Sequence, residues 1–372
     1  VRIAVNTRLL LKNRLEGIGW FSFEVLRRMV QSHKRHEFLF IFDRPWHPEF
    51  IFSDNITPVA AFPPARHPVL WYGWFEYALP RIFKKYKPDL FFSPDGYTSL
   101  RSKIPAVTVI HDLNFEHFTG DMPASYRAYY RYFTPKYAHK SQRILTVSEY
   151  TKTELHRLYQ VPEDKIDVVY NGVQEGFVPL TPNEVQIARK KFAGGSPYLV
   201  FVGSLHPRKN IVGMLNGFSA LAHPSVRLLL VGSKRWWTSG MEAAARPLIE
   251  SGRLIMPGHL PPQDLYQAVG GAEIMLYPSL FEGFGVPVLE GMQAGVPVLT
   301  SNTSSLPEIA GGAALLVNPE DTSAIAQAMQ HLLTDRELRR SLIEKGKIRA
   351  RQFNWDQSAR LVWEGLERGG VL

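Results

Sequence analysis

Short, almost continuously apolar runs alternate with stretches of helical periodicity along nearly the whole chain. This alternation narrows the folds open to it more than any other feature. The runs are "VRIAVN", "EFLFIFD", "DLFFSP", "AVTVIHD", "RILTVS" and "KIDVVY", then "YLVFVGS", "VRLLLVGS", "RLIMPG", "EIMLYPS" and "VPVLTS". A strand apolar on both sides has no face to offer water, so it belongs in a parallel sheet covered by helices on both faces. Helical patterns at 210–222, 240–250, 261–269 and 321–333 supply such covers. Two successive sets of strands predict an α/β protein with two Rossmann-like, doubly wound parallel-sheet domains facing a cleft, with ligand at the strands' carboxyl ends. The 372 residues suffice for two cores. The turn- and proline-rich "NGVQEGFVPLTP" (171–182) divides 1–172 from 173–354. The last helical stretch, in 355–372, follows an irregular "FNW" and is expected to leave the second domain and pack on the first.

Composition removes several classes. With no cysteine, disulfides, thiolate catalysis and thiolate-bound zinc are excluded, which fits a cytoplasmic enzyme. No apolar run approaches the roughly 20 residues of a membrane-spanning helix, and the first residues read as a strand, not as a signal sequence. The net charge of +9 is uneven: residues 1–172 hold 24 Lys and Arg against 17 Asp and Glu, and 31 of the 45 aromatic residues. Such a half suits an anionic membrane surface, a nucleic acid, or a solubilised surface over an aromatic core. No zinc finger, heptad zipper or RNP-like strand supports nucleic acid.

In "FEGFGVPVLE" (281–290), Glu282 and Glu290 flank a stretch with two glycines, a proline and no other charge. The glycines let backbone amides approach a ligand, and Pro287 suits the first helical position, where no amide hydrogen is needed. Glu282 is then expected on the loop after "EIMLYPS" and Glu290 in the first turn of the following helix. Free amides and the positive dipole end make that turn a site for phosphate. Carboxylates beside it can each hold a pair of sugar hydroxyls. After "YLVFVGS" comes "LHPRKN", which sets Arg208 and Lys209 just before another helix, where a planar fork and a point charge can neutralise a diphosphate. Together they form the kind of pocket a nucleotide-sugar requires.

The glutamate pair, "FVGSLHPRKN", "VYNGV" and "VLTSNTSSLPEIAGGAALLVNP" resemble the retaining GT-B glycosyltransferases of family 4, also called glycosyl transferases group 1. The resemblance is continuous from about 197 to 335 and looser in the first domain, through "IHD", "LTVSEYTK" and an early glycine loop. It implies transfer of a hexose, of mannose or glucose type, from a nucleoside diphosphate sugar to a saccharide or lipid-linked acceptor in cell-surface polysaccharide synthesis. It assigns Arg208 and Lys209 to the diphosphate, Glu290 to the ribose hydroxyls and Glu282 to the donor sugar near the reacting carbon. It sets Phe284 and Gly285 at the sugar or phosphate end, and Gly258, His259 and Leu260 against the nucleobase. In the first domain it makes His111 a contact for the donor sugar or transition state, and Asp112 its orienting neighbour. Gly17 and Gly19, in "LEGIGWF", would stand near diphosphate and acceptor, here after a long "TRLLLKNRLE" loop. The family generally needs no metal or other cofactor, and no metal-ligand spacing appears. Retention would follow from front-face attack, since no residue stands out as a covalent nucleophile. A sugar-nucleotide epimerase or a phosphorylase shares the architecture and remains an alternative.

Two first-domain segments mix aromatics with cations, 67–90 and 125–143. Either they pack tyrosines on the sheet, with Tyr126 and Tyr130 one helical turn apart, or they form an interfacial surface. In the second case Trp71, Trp74, Lys84, Lys85, Arg127 and Arg131 would bring a cytoplasmic enzyme reversibly to the inner face of an anionic membrane.

Overall fold

In the computed structural model, which describes residues 1–118, 120 and 122–370, every strand runs parallel to its neighbours, in two separate sheets. The first contains β1 (Arg2–Asn6), β2 (Glu37–Phe42), β3 (Ile56–Ala60), β4 (Leu90–Ser93), β5 (Ala106–Ile110), β6 (Arg143–Thr146) and β7 (Ile166–Val168). Their order across the sheet is β3-β2-β1-β4-β5-β6-β7. The second contains β8 (Tyr198–Val202), β9 (Arg227–Val231), β10 (Leu254–Gly258), β11 (Ile274–Tyr277), β12 (Val298–Ser301) and β13 (Leu315–Val317), in the order β10-β9-β8-β11-β12-β13. Each sheet therefore winds outward in both directions from its first strand. The loops after β1 and β4, and after β8 and β11, open a crevice at the carboxyl edge, where ligands bind in doubly wound folds.

The apolar runs become strands because their side chains are buried on both sides: β4, β5, β11 and β12 have no exposed residue. Two strands lie outside the apolar runs named from the sequence. β3, "ITPVA", contains a proline and lies at a sheet edge, where the missing amide costs little. β13, "LLV", is a three-residue strand at the edge of the other sheet.

The chain divides into two units. One comprises residues 1–172 with the segment from Asn354 onward, the other Val173–Phe353. Within the first, the helix Trp355–Arg368 lies on the helix Gly17–Ser32 and on β6. Arg28 Nε donates to Asp356 over 2.6 Å, His33 stacks on Trp363 at 3.5 Å between centroids, and Ser358 Oγ donates to the carbonyl of Tyr170.

Much of the aromatic content of this unit is core, and this corrects the interfacial assignment of two residues. Trp71 and Trp74 are buried, with indole N–H groups donating to the carbonyls of Ala65 and Ala61 at 2.8 and 3.1 Å. An indole whose one polar atom is satisfied loses nothing by leaving water, so burial wins over display at a surface. In the helix Ala124–Lys140, Tyr129 and Tyr137 are buried and share a hydroxyl–hydroxyl bond of 2.8 Å, and Tyr126 and Tyr130 pack against the same core. Arg131 pairs with Glu116 at 2.9 Å. Lys84 and Lys85 are exposed.

Candidate active site

In the second unit the two motifs meet because β8 and β11 are neighbours. The loop leaving β8 turns through a short helical stretch, Pro207–Lys209, before Asn210 adopts a left-handed conformation and the helix Ile211–Ser219 begins. The loop leaving β11 runs from Pro278 to Gly285 and enters the helix Val286–Gln293. The amide of Leu280 donates to the carbonyl of Arg208 at 2.9 Å, joining the loops backbone to backbone.

Across that junction Glu282 is buried, and each carboxylate oxygen receives a cation. Lys209 Nζ is 2.5 Å from Oε1 and Arg208 Nη1 is 3.3 Å from Oε2. Lys209 also donates to the hydroxyl of Tyr277 at 2.7 Å, and Arg208 to the carbonyl of Phe281. Burial would raise the pKa of Glu282, but Lys209 and then Arg208 overcome it and hold the carboxyl at about 2. Two cations and one anion leave the cluster net positive, and the buried carboxylate that was expected on sugar hydroxyls is occupied in holding them.

A third loop, between β12 and the helix Leu306–Ala310, supports the second one. Ser304 Oγ accepts from the amide of Glu282 at 3.0 Å, and Ser305 Oγ reaches the carbonyls of Glu282 and Phe284 at 2.9 and 3.0 Å. Ser304 has a φ of 55°, a conformation that costs a non-glycine residue energy and recurs at ligand sites. Gly285 has a φ of 104°, and a Cβ there would stand 2.6 Å from the side chain of Leu306. Only glycine fits, so the chain passes directly from this loop into the helix.

Pro287 is the second residue of that helix, within its first turn, and Glu290 is the fifth, just past the turn in which it was expected. The Glu290 carboxylate has no side-chain partner among the described residues, and burial pushes its pKa up to about 7. Gly258 ends β10 at the sheet edge, two strands away from β8, and His259 and Leu260 follow it. The amide of Gly232, after β9, donates to the carbonyl of Gly258 at 2.9 Å.

In the first unit, His111 and Asp112 follow β5. His111 Nε2 donates to the carbonyl of Pro94 at 2.8 Å, which fixes the proton there and leaves Nδ1 with its lone pair. Burial lowers the pKa of His111, against the opposing pull of Pro94 and Asp112, so the neutral imidazole is favoured. Asp112 Oδ1 accepts from the amide of Asn114 at 3.0 Å and shapes the turn. Gly17 opens the helix Gly17–Ser32 and Gly19 is buried two residues on, while Phe21 of the same helix meets the His111 ring edge-on at 5.0 Å. Among the described residues no group of three or more His, Asp and Glu could hold a metal ion, and no helix is long and apolar enough to cross a membrane.

Residues 15–176 match the family model described as Glycosyltransferase Family 4, and residues 183–349 match Glycosyl transferases group 1. The chain belongs to the family 4 glycosyltransferases. It is 27% identical over 361 residues to O-antigen chain mannosyltransferase B of Escherichia coli, covering 93% of this chain and 94% of that protein. It is 29% identical over 274 residues to the serotype-specific mannosyltransferase WbdA of the same species, 70% of this chain but only 33% of that longer protein. Among solved structures, Anabaena Alr3699/HepE in complex with UDP and glucose superposes with a TM-score of 0.77 at 15% identity, covering 98% of this chain and 99% of that one. At that identity the likeness establishes a shared GT-B fold.

For a glycosyltransferase, a net positive cluster at the switch point suits an anionic leaving group. The residues brought into contact are Arg208, Lys209 and Glu282; Phe284 and Gly285 lie on the loop of Glu282, Glu290 is near enough to act on the Tyr277 hydroxyl that Lys209 bonds, and the stretch 258–260 lies two strands from β8. Tyr277, Ser304 and Ser305 were missed. "SNTSS" is legible as a polar loop after a strand, but nothing local says that its hydroxyls are aimed at a chain segment some twenty residues earlier.

Proposed function

We propose that this glycosyltransferase moves a hexose, mannose first among the candidates, from a nucleoside diphosphate sugar to a saccharide or lipid-linked saccharide acceptor. The transfer retains anomeric configuration and serves the synthesis of a cell-surface polysaccharide. The observation that carries this is the Arg208–Lys209–Glu282 cluster at the crevice between β8 and β11. Two cations held on one carboxylate are preorganised for a diphosphate, whose charge grows as the sugar leaves. Similarity over nearly the whole chain to an O-antigen chain mannosyltransferase supports mannose and polysaccharide synthesis. The UDP and glucose bound by HepE support a nucleotide-sugar donor.

In this proposal the second unit holds the donor and the first the acceptor. Arg208 and Lys209 bind the diphosphate, with Glu282 as their positioning residue at the sugar end. Phe284 and Gly285 offer backbone to the donor, Glu290 takes the ribose hydroxyls, and Gly258, His259 and Leu260 line the base. His111, oriented by its bond to Pro94 and by Asp112, contacts the donor sugar, and Gly17 and Gly19 admit diphosphate and acceptor closely. The acceptor hydroxyl attacks the anomeric carbon on the face the diphosphate leaves. The C–O bond to phosphate breaks as the new glycosidic bond forms, and the hydroxyl proton passes to the departing phosphate oxygen. Because Arg208 and Lys209 already supply the neutralising charge, no metal or other cofactor is required. The excess of cations in the first unit, Lys84 and Lys85 included, supports reversible contact of a cytoplasmic enzyme with an anionic membrane.

The test is a panel of nucleoside diphosphate sugars followed by calorimetry and by NMR of any transferred or released sugar. One donor should bind saturably and still be turned over in excess EDTA, with the product anomer matching the donor's. If no member of the panel binds, the proposed function fails; an inverted product would remove the retaining mechanism alone.

A further inference from the structure

Beside the crevice of the first unit lies a second concavity that none of the assigned residues uses. β1 and β2 are paired, Asn6 against Ile41, so the loops leaving them stand side by side at the carboxyl edge of the sheet. Between the loop at 10–14 and the segment 44–50 they enclose a pocket of about 340 Å³, at the small end of the range for small-molecule sites. Lys12, Arg14, Arg44, Trp46, His47 and Phe50 are among its lining residues.

The charges in this pocket are not balanced. Arg44 is neutralised by Asp43 through two bonds of 2.6 and 2.8 Å. Lys12 and Arg14 have no carboxylate within ion-pair distance among the described residues, and Asn13 between them adopts a left-handed turn with φ of 59°. Lys12 Nζ donates to Nε2 of His47 at 2.8 Å, which holds the ammonium at the pocket while leaving its charge uncompensated. Glu49 Oε2 is 3.4 Å from the other imidazole nitrogen, Nδ1, and Glu49 is not among the lining residues. Trp46 stacks on Phe42 at 6.1 Å and 29° yet is 40% exposed, while Phe50 is buried. A cation pair beside a partly exposed indole matches a ligand with a phosphate at one end and a pyranose, whose C–H face stacks on aromatics, at the other.

We propose that this pocket binds a phosphorylated saccharide and is the anionic subsite of the acceptor. The acceptor role rests on the glycosyltransferase reading above; the binding does not. The phosphate would be that of a soluble sugar phosphate or the one joining a saccharide to a lipid, and the test separates these from an ordinary anionic lipid surface.

The full chain, its donor site saturated with nucleoside diphosphate, is titrated with mannose 6-phosphate, with inorganic phosphate, with mannose, and with vesicles of phosphatidylglycerol. Mannose 6-phosphate should bind more tightly than phosphate or mannose. The Lys12→Ala/Arg14→Ala variant should weaken it by about tenfold or more, the loss of charge-assisted contacts. Trp46→Ala should reduce its affinity to that of inorganic phosphate. In both variants nucleoside diphosphate affinity should match the parent. Unchanged mannose 6-phosphate binding in the double variant would overturn the proposal, as would parent affinity for inorganic phosphate equal to that for the sugar phosphate. So would vesicle binding that depends on Lys12 and Arg14 without any for the sugar phosphate. If the parent binds no nucleoside diphosphate but these results hold, the proposed function falls and the pocket stands.

Discussion

Lys209 Nζ lies 2.5 Å from Oε1 of Glu282, and Arg208 reaches the other oxygen of the same buried carboxylate. One acid thus holds two adjacent cations, and a change at any of the three alters both the stability of the second unit and the charge presented to a ligand.

Removing Glu282 should therefore cost more than removing an exposed acid. Glu282→Ala leaves Lys209 buried without its anion, and such losses run at about 3 to 5 kcal/mol. The Lys209→Met/Glu282→Leu pair should lie closer to the parent, since the more buried cation is removed with its anion, and Arg208 keeps its bond to the carbonyl of Phe281. The sign of the pH dependence follows from a carboxyl held at about 2 against an ordinary 4.5. Its contribution is present above about pH 4.5 and is lost as the pH falls toward 2. Urea unfolding across this range measures both. Equal midpoints for parent and Glu282→Ala at neutral pH would show that the cluster does not stabilise the unit.

Glu290 should behave in the opposite way. Its pKa of about 7 lies above the ordinary 4.5, so the folded state holds the proton more tightly than the unfolded one. Its favourable contribution is complete below about pH 4.5 and is lost as the pH rises through 7, a decline of about 1 to 3 kcal/mol. Glu290→Gln, which cannot ionise, should abolish that decline and leave the chain more stable than the parent at pH 8. Carbon-detected NMR of the carboxyl, or unfolding of the two proteins at pH 5 and 8, decides it. Parallel pH profiles would mean that the carboxyl titrates as an exposed one.

The crevice also depends on a close approach of two backbones. Gly232 follows β9 with a φ of 156°, and a Cβ there would lie 1.8 Å from the carbonyl oxygen of Gly203. The obstructing atom is backbone, so Gly232→Ala must push β9 and β8 apart at the edge that carries Arg208 and Lys209. Destabilisation beyond about 2 kcal/mol is expected, with nucleoside diphosphate affinity falling too. A variant of unchanged melting temperature and affinity would show that the strand ends yield freely.

How much of this was legible in the sequence differs from element to element. β8 and β11 could be read because fully buried strands leave a run of apolar residues, and "LHPRKN" and "FEGFGVPVLE" could be placed after them. β3 could not, because an edge strand tolerates Pro58 and part of its surface stays in contact with water. The tryptophans at 71 and 74 read equally well as membrane anchors, since an indole's amphipathic character is the same whether its N–H finds a carbonyl or a headgroup. The pairing of Glu282 with Lys209 had no local sign at all.

The sequence by itself determined the alternation of parallel strands and helices and therefore the two sheets. It also determined that the charged loops follow strand ends, where chain direction sends them to the carboxyl edge. These are consequences of local periodicity and turn chemistry, and they need no knowledge of distant contacts. The tertiary structure alone decided that β11 lies beside β8, so that residues 208, 209 and 282 share one charge cluster across more than seventy positions of chain. It alone decided which aromatics are interior, which serines support the carboxylate loop, and that Lys12 and Arg14 face a pocket with Trp46. Strand order and burial depend on contacts far apart in sequence, and a carboxylate's partner is whichever cation the fold brings within reach.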